Sequence, residues 1–351
     1  MRSDEEIARA LRTIGERAEA LDLLAGVAVK RRRRRRRRVR AALAAVCAAA
    51  LGWGTLVLWP APPAPVVGTP VTAIDSPLTA IERRWPQAVF TMPERYRPLA
   101  AIDATRVLVR AEPGTIEVYD SATGRSRPLA TLPDQPRQLA ANGEWVAWMS
   151  GREVAFVPVR GGKVIRTGPV EGENVDRMEL VGDRLVWSAP LDGVWRLDLP
   201  AGVIERVPGS AGLQLAAWPW ATDEPLHLRG NPTRLVNLET GRTVTITPAR
   251  GVEGLRCGST WCLGVRDGAA VVQRTDGGQA RVRPELRGRT GYPYRDRFFV
   301  GSAVYDTRAG VLVPIEPPDG KWSSGPGVIS WAARDGEVRV VNLAAVPPGR
   351  Y

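Results

Sequence analysis

The feature that most constrains the fold is a turn that returns about every forty residues. Four copies of the turn pair Asp or Asn with a glycine four positions later, at Asp120 and Gly124, Asp198 and Gly202, Asn237 and Gly241, and Asp306 and Gly310. The polar side chain can cap such a turn, and glycine adopts the left-handed backbone that the turn requires. Apolar strands flank each turn, so each predicts a β-hairpin.

The spacing of these turns indicates the architecture. Looser copies end at Gly162 and Gly278, and the turn glycines are then separated by 38, 40, 39, 37 and 32 residues. A period near forty with four short strands is typical of a β-propeller blade. All 30 prolines and 32 of the 36 glycines follow residue 59, which excludes long helices there. We predict an all-β propeller over residues 71–351 with seven blades, six or eight being the alternatives.

Two further patterns refine this prediction. A strand that often carries tryptophan precedes the turn, as at Trp145–Trp148 and Leu185–Trp187, and we expect these indoles to fill the core between blades. The last strands, Val328–Trp331 and Val338–Leu343, lack an outer partner, which Gln87–Phe90 can supply from before the first blade. That pairing would close the ring.

Residues 41–59 form an uncharged run of nineteen residues without proline. A helix of that length just spans a bilayer core of ~30 Å at ~1.5 Å per residue. We therefore predict one transmembrane helix over 41–59 and a proline-rich linker over 60–70. A cleaved signal peptide is the alternative, although its apolar run is usually about 7–15 residues long.

A dense basic block stands directly before the apolar run. It consists of Lys30, Arg31, Arg32, Arg33, Arg34, Arg35, Arg36, Arg37, Arg38 and Arg40. Arginines beside a spanning helix stay in the cytoplasm, which predicts a cell-membrane protein with residues 1–40 inside and the propeller outside. The block can also bind anionic lipid, and a nucleic acid or acidic partner is the alternative ligand of the block.

The first thirty residues carry a narrow apolar seam. Ser3 and Glu6 have the spacing of a capping box, and apolar residues then recur at spacings of four and three. Its larger side chains are Ile7, Leu11, Ile14 and Leu21. This predicts a cytoplasmic amphipathic helix over residues 4–28 that buries its seam against lipid, a protein partner or a second copy of itself.

Two cysteines lie close together in Arg256-Cys257-Gly258-Ser259-Thr260-Trp261-Cys262. The residues between them include glycine and serine, which suits a hairpin turn that brings the sulfurs of Cys257 and Cys262 together. Outside the membrane such a pair can form a disulfide; two reduced thiols are the alternative. The spacing provides neither a CxxC pair nor a zinc cluster, so no metal or other cofactor is predicted.

Little in the sequence points to catalysis. His227 is the only histidine, and there is no nucleophile elbow, HExxH motif or EF-hand loop. We therefore predict that the protein is not an enzyme, although paired carboxylates can act without histidine, as in glycosidases. Residues 60–351 carry 35 basic and 31 acidic side chains, against 14 and 6 in residues 1–59. This near-balance argues against a nucleic-acid partner for the propeller.

The order of these parts resembles that of single-pass membrane proteins from GC-rich Gram-positive bacteria that carry an extracytoplasmic TolB/WD-repeat-like propeller. The matching parts are Leu23–Val27, Arg31–Arg38, Ala41–Trp59, Pro60–Pro70, the repeats, and Cys257 to Cys262 with Trp261 before the second cysteine. Some such proteins are encoded near extracytoplasmic-function sigma factors. The resemblance therefore implies an anti-sigma-like role, with a cytoplasmic sigma factor as the partner of the tail.

Two functional hypotheses follow. In the first, the propeller is a tethered, non-catalytic module that binds an extracytoplasmic protein, peptide or cell-envelope ligand, and the tail serves insertion alone. In the second, the chain is a transmembrane sensor whose residues 4–28 engage a cytoplasmic partner. A hydrolase ranks third.

Overall fold

A computed structural model describes residues 79–348, except positions 112–113, 133–135, 137, 169, 171–174, 176, 190–191, 224–229, 287–290, 318 and 334–335. The predicted tail, basic block, span and linker therefore lie outside the described residues, as does His227. None of the helices within the described ranges is long and apolar enough to cross a membrane.

Within the described ranges, 27 strands form seven antiparallel sheets. In chain order the strands are β1 (Val89–Pro93), β2 (Arg97–Ala101), β3 (Arg106–Arg110), β4 (Thr115–Asp120), β5 (Arg125–Thr131), β6 (Gln138–Ala141), β7 (Trp145–Ser150), β8 (Glu153–Pro158), β9 (Ile165–Thr167), β10 (Arg177–Val181), β11 (Arg184–Ala189), β12 (Gly193–Asp198), β13 (Val203–Arg206), β14 (Gln214–Ala217), β15 (Trp220–Thr222), β16 (Arg234–Asn237), β17 (Thr243–Thr245), β18 (Glu253–Cys257), β19 (Trp261–Arg266), β20 (Ala269–Arg274), β21 (Arg281–Val282), β22 (Phe298–Val300), β23 (Ala303–Asp306), β24 (Val311–Pro314), β25 (Ser323–Gly325), β26 (Val328–Ala332) and β27 (Glu337–Asn342).

Six sheets use consecutive strands and form blades 1 to 6: β2–β5, β6–β9, β10–β13, β14–β17, β18–β21 and β22–β24. Blade 7 has the order β1-β27-β26-β25. The fold is thus a seven-bladed β-propeller, which confirms the predicted class and blade number.

Blade 7 joins the two ends of the described chain. β1 pairs antiparallel with β27, with Val89 opposite Val341 and Pro93 opposite Glu337. The sequence placed this closing strand at Gln87–Phe90, and the observed strand begins two residues later because Pro86–Ala88 forms a 3₁₀ helix. A second 3₁₀ helix, Leu343–Ala345, follows β27. The predicted closure of the ring is confirmed.

A short helix, α1 (Ala80–Arg84), leads into this closing strand. The N–H of Thr79 donates to Glu82 Oε2 at 2.7 Å, and the N–H of Glu82 donates to Thr79 Oγ1 at 3.3 Å, which forms a capping box. Ile81 and Trp85 are buried with Trp331 of blade 7. The helix therefore anchors the chain before β1 to the junction of blades 6 and 7.

The four repeated turns connect the third and fourth strands of blades 1, 3, 4 and 6. In blade 1, Asp120 Oδ1 accepts the N–H of Ala122 at 2.8 Å, and Gly124 donates its N–H to the Asp120 carbonyl at 2.9 Å. The turn glycines have φ between 64° and 72°; they are Gly124, Gly202, Gly241 and Gly310. The predicted combination of polar cap and left-handed glycine is present in each.

The core consists of seven apolar clusters, one at each junction between neighbouring blades. Alternate residues of a strand face opposite junctions. In β7, Val146 and Trp148 pack against blade 1, whereas Ala147 and Met149 pack against blade 3. Trp148 and Trp187 are 1% and 0% exposed, so the prediction that these tryptophans fill the inter-blade core is confirmed.

Candidate functional site

A cavity of about 520 Å³ is lined by the innermost strands of blades 2, 3, 4 and 7 and by residues of blade 6. The first strand of each propeller blade faces the central axis. The cavity is therefore the central channel of the ring, and we call it the channel.

Blade 6 contributes an unusual element to the channel wall. In the described part of the chain its strands β22–β24 correspond to the second, third and fourth strands of other blades, and Gly291–Asp296 takes the innermost position. Tyr294 forms an isolated bridge with Phe298. Arg295 and Asp296 turn the chain back, with φ of 49° and 53°. A short aromatic and polar hairpin thus replaces a regular strand.

Two glycines of neighbouring blades make room for this hairpin. A Cβ atom on Gly258 of blade 5 would lie 1.9 Å from Asp296 Oδ1, and one on Gly327 of blade 7 would lie 2.3 Å from the Tyr294 ring. Real side chains do not approach so closely. The hairpin is therefore packed between the turns that follow the first strands of blades 5 and 7.

Asp296 is held by the turn that the two cysteines enclose. Ser259 donates its N–H to Asp296 Oδ1 at 2.7 Å and its hydroxyl to Asp296 Oδ2. Cys257 and Cys262 face each other across β18 and β19 and are joined by a disulfide. The disulfide closes the base of a turn whose tip positions the carboxylate of Asp296.

The environment of Asp296 changes its acidity. Burial raises the pKa of Asp296, and the charge of Glu179 acts in the same direction. The hydrogen bonds from Ser259 and the charge of Arg308 oppose this shift without cancelling it. The ionised form of Asp296 is therefore less favourable in the protein than in water.

A second polar group of the channel lies on β10. Arg177 Nε donates to Glu179 Oε1 at 2.8 Å, and the Arg177 guanidinium lies 4.6 Å from the centre of the Tyr292 ring. The other carboxylate oxygen, Glu179 Oε2, accepts the N–H of Trp218 at 3.1 Å. Arg177 is thus already engaged by an acid and an aromatic ring, whereas Glu179 retains acceptor capacity.

The channel opens on a face that we call the turn face. This face carries the turns between the first and second strands and between the third and fourth strands of the blades, since both lie at the same end of an antiparallel meander. Two grooves of about 470 Å³ each lie on it. The first groove lies between blades 3 and 4 and the second between blades 2 and 3.

The three concavities share walls. Val181 and Trp218 line both the channel and the first groove. Asp183 and Pro200 line both grooves. We call this continuous concave surface the track. It combines carboxylates, arginines, two indoles and aliphatic side chains, a mixture of groups that is common in ligand-binding clefts.

Only part of the sequence-predicted site can be placed. Cys257 and Cys262 lie beside the channel wall, where their turn holds Asp296. The basic block and the seam residues Ile7, Leu11, Ile14 and Leu21 fall outside the described ranges. Within those ranges no group of three or more His, Cys, Asp or Glu side chains could hold a metal ion.

Sequence reasoning did not identify Asp296, Glu179 or Trp218. One signal pointed towards Asp296: the last interval between turn glycines is 32 residues rather than 37–40, and in this interval the hairpin Gly291–Asp296 replaces a strand. Glu179 stands in an ordinary strand, and Trp218 stands in the turn between β14 and β15, where its peptide bond to Pro219 is cis. Neither residue belongs to the repeated turn pattern.

The sheets of this chain define it as a seven-bladed β-propeller. Neither a family model nor a curated protein matches its sequence. Among solved structures it is similar to the computationally designed Ika8 protein, with 15% identity, 72% of this chain and 86% of that chain covered, and a TM-score of 0.41. The Cps50 (Swd1) β-propeller domain of Myceliophteria thermophila has 13% identity, coverage of 72% and 99%, and a TM-score of 0.44. BamB from Moraxella catarrhalis has 14% identity, coverage of 69% and 81%, and a TM-score of 0.37.

Proposed function

We propose that this chain is a membrane-anchored extracytoplasmic propeller that binds a protein, peptide or cell-envelope ligand without catalysing a reaction. The observation that carries the proposal is the track, in which the channel and two grooves share walls. A ligand in a concave surface loses water on several sides, so each contact contributes more than it would on a convex face.

The composition of the track supports binding. Val181 is 39% exposed although it ends an innermost strand, and with Trp218 and Pro200 it offers apolar contact area. The charged side chains around these residues can orient a polar ligand. Because the disulfide and the packed hairpin hold the wall in place, binding requires little ordering of the protein.

The anchor rests on the sequence. The apolar run over 41–59 and the basic block before it support insertion with the propeller outside. The linker of residues 60–70 contains five prolines. Proline-rich segments of this kind act as semi-rigid spacers.

A photo-cross-linking residue placed at Val181 of the full chain, in intact cells, tests the proposal. Val203 is the matched control, since it is 54% exposed but lies on the outermost strand of the same blade. We expect a defined cross-linked product from position 181 and none of it from position 203. Identical products from both positions, or none from 181, would show that the track is not the binding site. Release of the chain from membranes by alkaline carbonate would contradict the anchor.

A further inference from the structure

The charges in the grooves of the track are not balanced. Arg106 and Arg196 are already paired with carboxylates that lie outside the grooves, Asp103 at 2.6 Å and Glu205 at 2.5 Å. Four groove carboxylates have no ion-pair partner among the described residues: Glu144, Asp183, Asp198 and Glu239. Only Arg160 and Arg184 remain to offset them. The grooves therefore present excess negative charge to a ligand.

Asp296 adds a further carboxylate without an ion-pair partner at the channel mouth. Its two carboxylate oxygens accept hydrogen bonds from Ser259, and no arginine or lysine nitrogen of the described residues lies within ion-pair distance. The disulfide-closed turn and the close approach of Gly258 hold the carboxylate in one place. A fixed, partly buried carboxylate without an ion-pair partner favours a cationic ligand group.

The neighbouring aromatic rings suit the same kind of group. The guanidinium of Arg295 lies 5.3 Å from the centre of the Tyr294 ring, and that of Arg177 lies 4.6 Å from the Tyr292 ring. Both rings line the channel. Aromatic faces attract cations through their quadrupole, and in both contacts the cation is an arginine of this chain.

We infer that the channel mouth takes a positively charged group, an ammonium or guanidinium, carried by an extended peptide segment, against the carboxylates of Asp296 and Glu179. This rests on the proposed function and names the ligand chemistry of the same site. A peptide is the occupant that fits the track: its backbone offers donors and acceptors to the groove carboxylates and arginines, and its apolar side chains match Val181 and Pro200.

The test uses the full chain in detergent and fluorescein-labelled pentapeptides with acetylated and amidated ends. The probes are Gly-Gly-Arg-Gly-Gly and the same peptide with citrulline or glutamate at the centre. Citrulline keeps the shape of arginine and removes its charge. By fluorescence polarisation we expect the arginine peptide to bind at least about tenfold more tightly than the citrulline peptide, and the glutamate peptide to bind most weakly.

Asp296→Asn should reduce this preference several-fold, because asparagine keeps an oxygen for Ser259 and loses the charge, whereas Glu179 is unchanged. The matched control is Asp276→Asn: Asp276 is an exposed turn residue outside the track whose Oδ1 accepts the N–H of Gly278 at 2.8 Å, a role that asparagine retains. The control should keep the wild-type preference. Circular dichroism shows whether each variant is folded.

The pH dependence gives a second readout. Protonation of Asp296 removes its attraction for a cation, so binding of the arginine peptide should weaken as the pH falls through the raised pKa of this carboxyl group. The other charged groups that act on Asp296 are Glu179 of blade 3 and Arg308 of blade 6. In the Asp296→Asn variant, binding of the arginine peptide should therefore depend less on pH than in the wild type.

Equal affinity for the arginine and citrulline peptides, tighter binding of the glutamate peptide, or no binding of any probe would overturn the inference. So would an unchanged preference in Asp296→Asn. The cross-link from position 181 detects the natural ligand whatever its charge. If the cross-link from position 181 forms despite such results, the proposed function is retained and only the positive charge of the ligand is rejected.

Discussion

Two aspartates of blade 6 differ in the partners of their carboxylates, and this difference assigns one to the fold and leaves the other to a ligand. Asp306 is 0% exposed and receives two hydrogen bonds from Arg297, at 2.9 and 2.7 Å. Asp296, ten residues earlier, has only the uncharged donors of Ser259. A carboxylate with a bidentate arginine partner is satisfied within the fold, whereas one without an ion-pair partner remains available to a ligand.

Arg297 also ties the end of the described chain to blade 6. Its Nη1 donates to the Val346 carbonyl at 3.2 Å, and its Nη2 donates to the Pro347 carbonyl at 2.7 Å. The guanidinium lies 4.5 Å from the centre of the Phe298 ring. One side chain therefore links three parts of the junction between blades 6 and 7.

Arg297→Met should lower the free energy of unfolding by about 3–5 kcal/mol, because it leaves Asp306 buried and unpaired. The double variant Arg297→Met/Asp306→Asn should recover part of this loss. Asparagine carries no charge and keeps an oxygen for the N–H of Arg308, which Asp306 Oδ1 now accepts at 3.0 Å. Denaturant unfolding compares the two. A double variant less stable than the single one would contradict this account.

At the scale of elements, contacts with the neighbouring blades fix the position of the hairpin Gly291–Asp296. Its only pairing with β22 in the described chain is the bridge of Tyr294 and Phe298. Its position depends instead on the turn of Cys257–Cys262 on one side and on Gly327 on the other. The rigidity of the channel wall at blade 6 therefore depends on these two contacts.

Gly258→Ala should displace the hairpin, since the new Cβ would lie 1.9 Å from Asp296 Oδ1 and 2.8 Å from Pro293 Cγ. We expect destabilisation of about 1–3 kcal/mol. Gly143→Ala is the control, because the nearest atom to its Cβ would be Arg106 Nη2 at 3.9 Å. Thermal unfolding measures both effects. A stability of Gly258→Ala equal to that of Gly143→Ala would show that the close approach is not a constraint.

At the scale of the whole molecule, the closure of blade 7 makes the ring a single unit. β1 supplies the outer strand of the last sheet, and Met92 of β1 is 1% exposed in the cluster between blades 7 and 1. Each blade buries its two faces only against its neighbours. A ring opened at one junction therefore exposes apolar surface on both sides of the gap.

Met92→Asp should destabilise the propeller by about 2–5 kcal/mol, because it buries a polar group without a partner in this junction. Thr91→Asp is the control: Thr91 is only partly buried and stands opposite Arg339 of β27. Its effect should stay within about 0.5 kcal/mol. Tryptophan fluorescence follows unfolding in several blades at once. Similar losses for both variants would indicate that β1 does not close the ring through its buried face.

Much of the propeller was predictable because its signals are local. A capped turn with a left-handed glycine, as at Asp120 and Gly124, depends on five consecutive residues, and its repetition predicts the number of blades. The closure by β1 followed from counting strands. The shift of its start to Val89 was not predictable, because the 3₁₀ helix before it depends on how Trp85 packs.

The sequence alone therefore determined the class of fold, the blade count and the closure, since period and turn chemistry are carried by neighbouring residues. Only the tertiary structure decided the site. Asp296, Ser259 and Glu179 come from blades 6, 5 and 3 and converge at the channel because the ring brings their innermost segments to one axis. The sequence pattern does not indicate this convergence. The convergence depends on the hairpin that replaces the innermost strand of blade 6 and on the two glycines, Gly258 and Gly327, that allow the hairpin to pack.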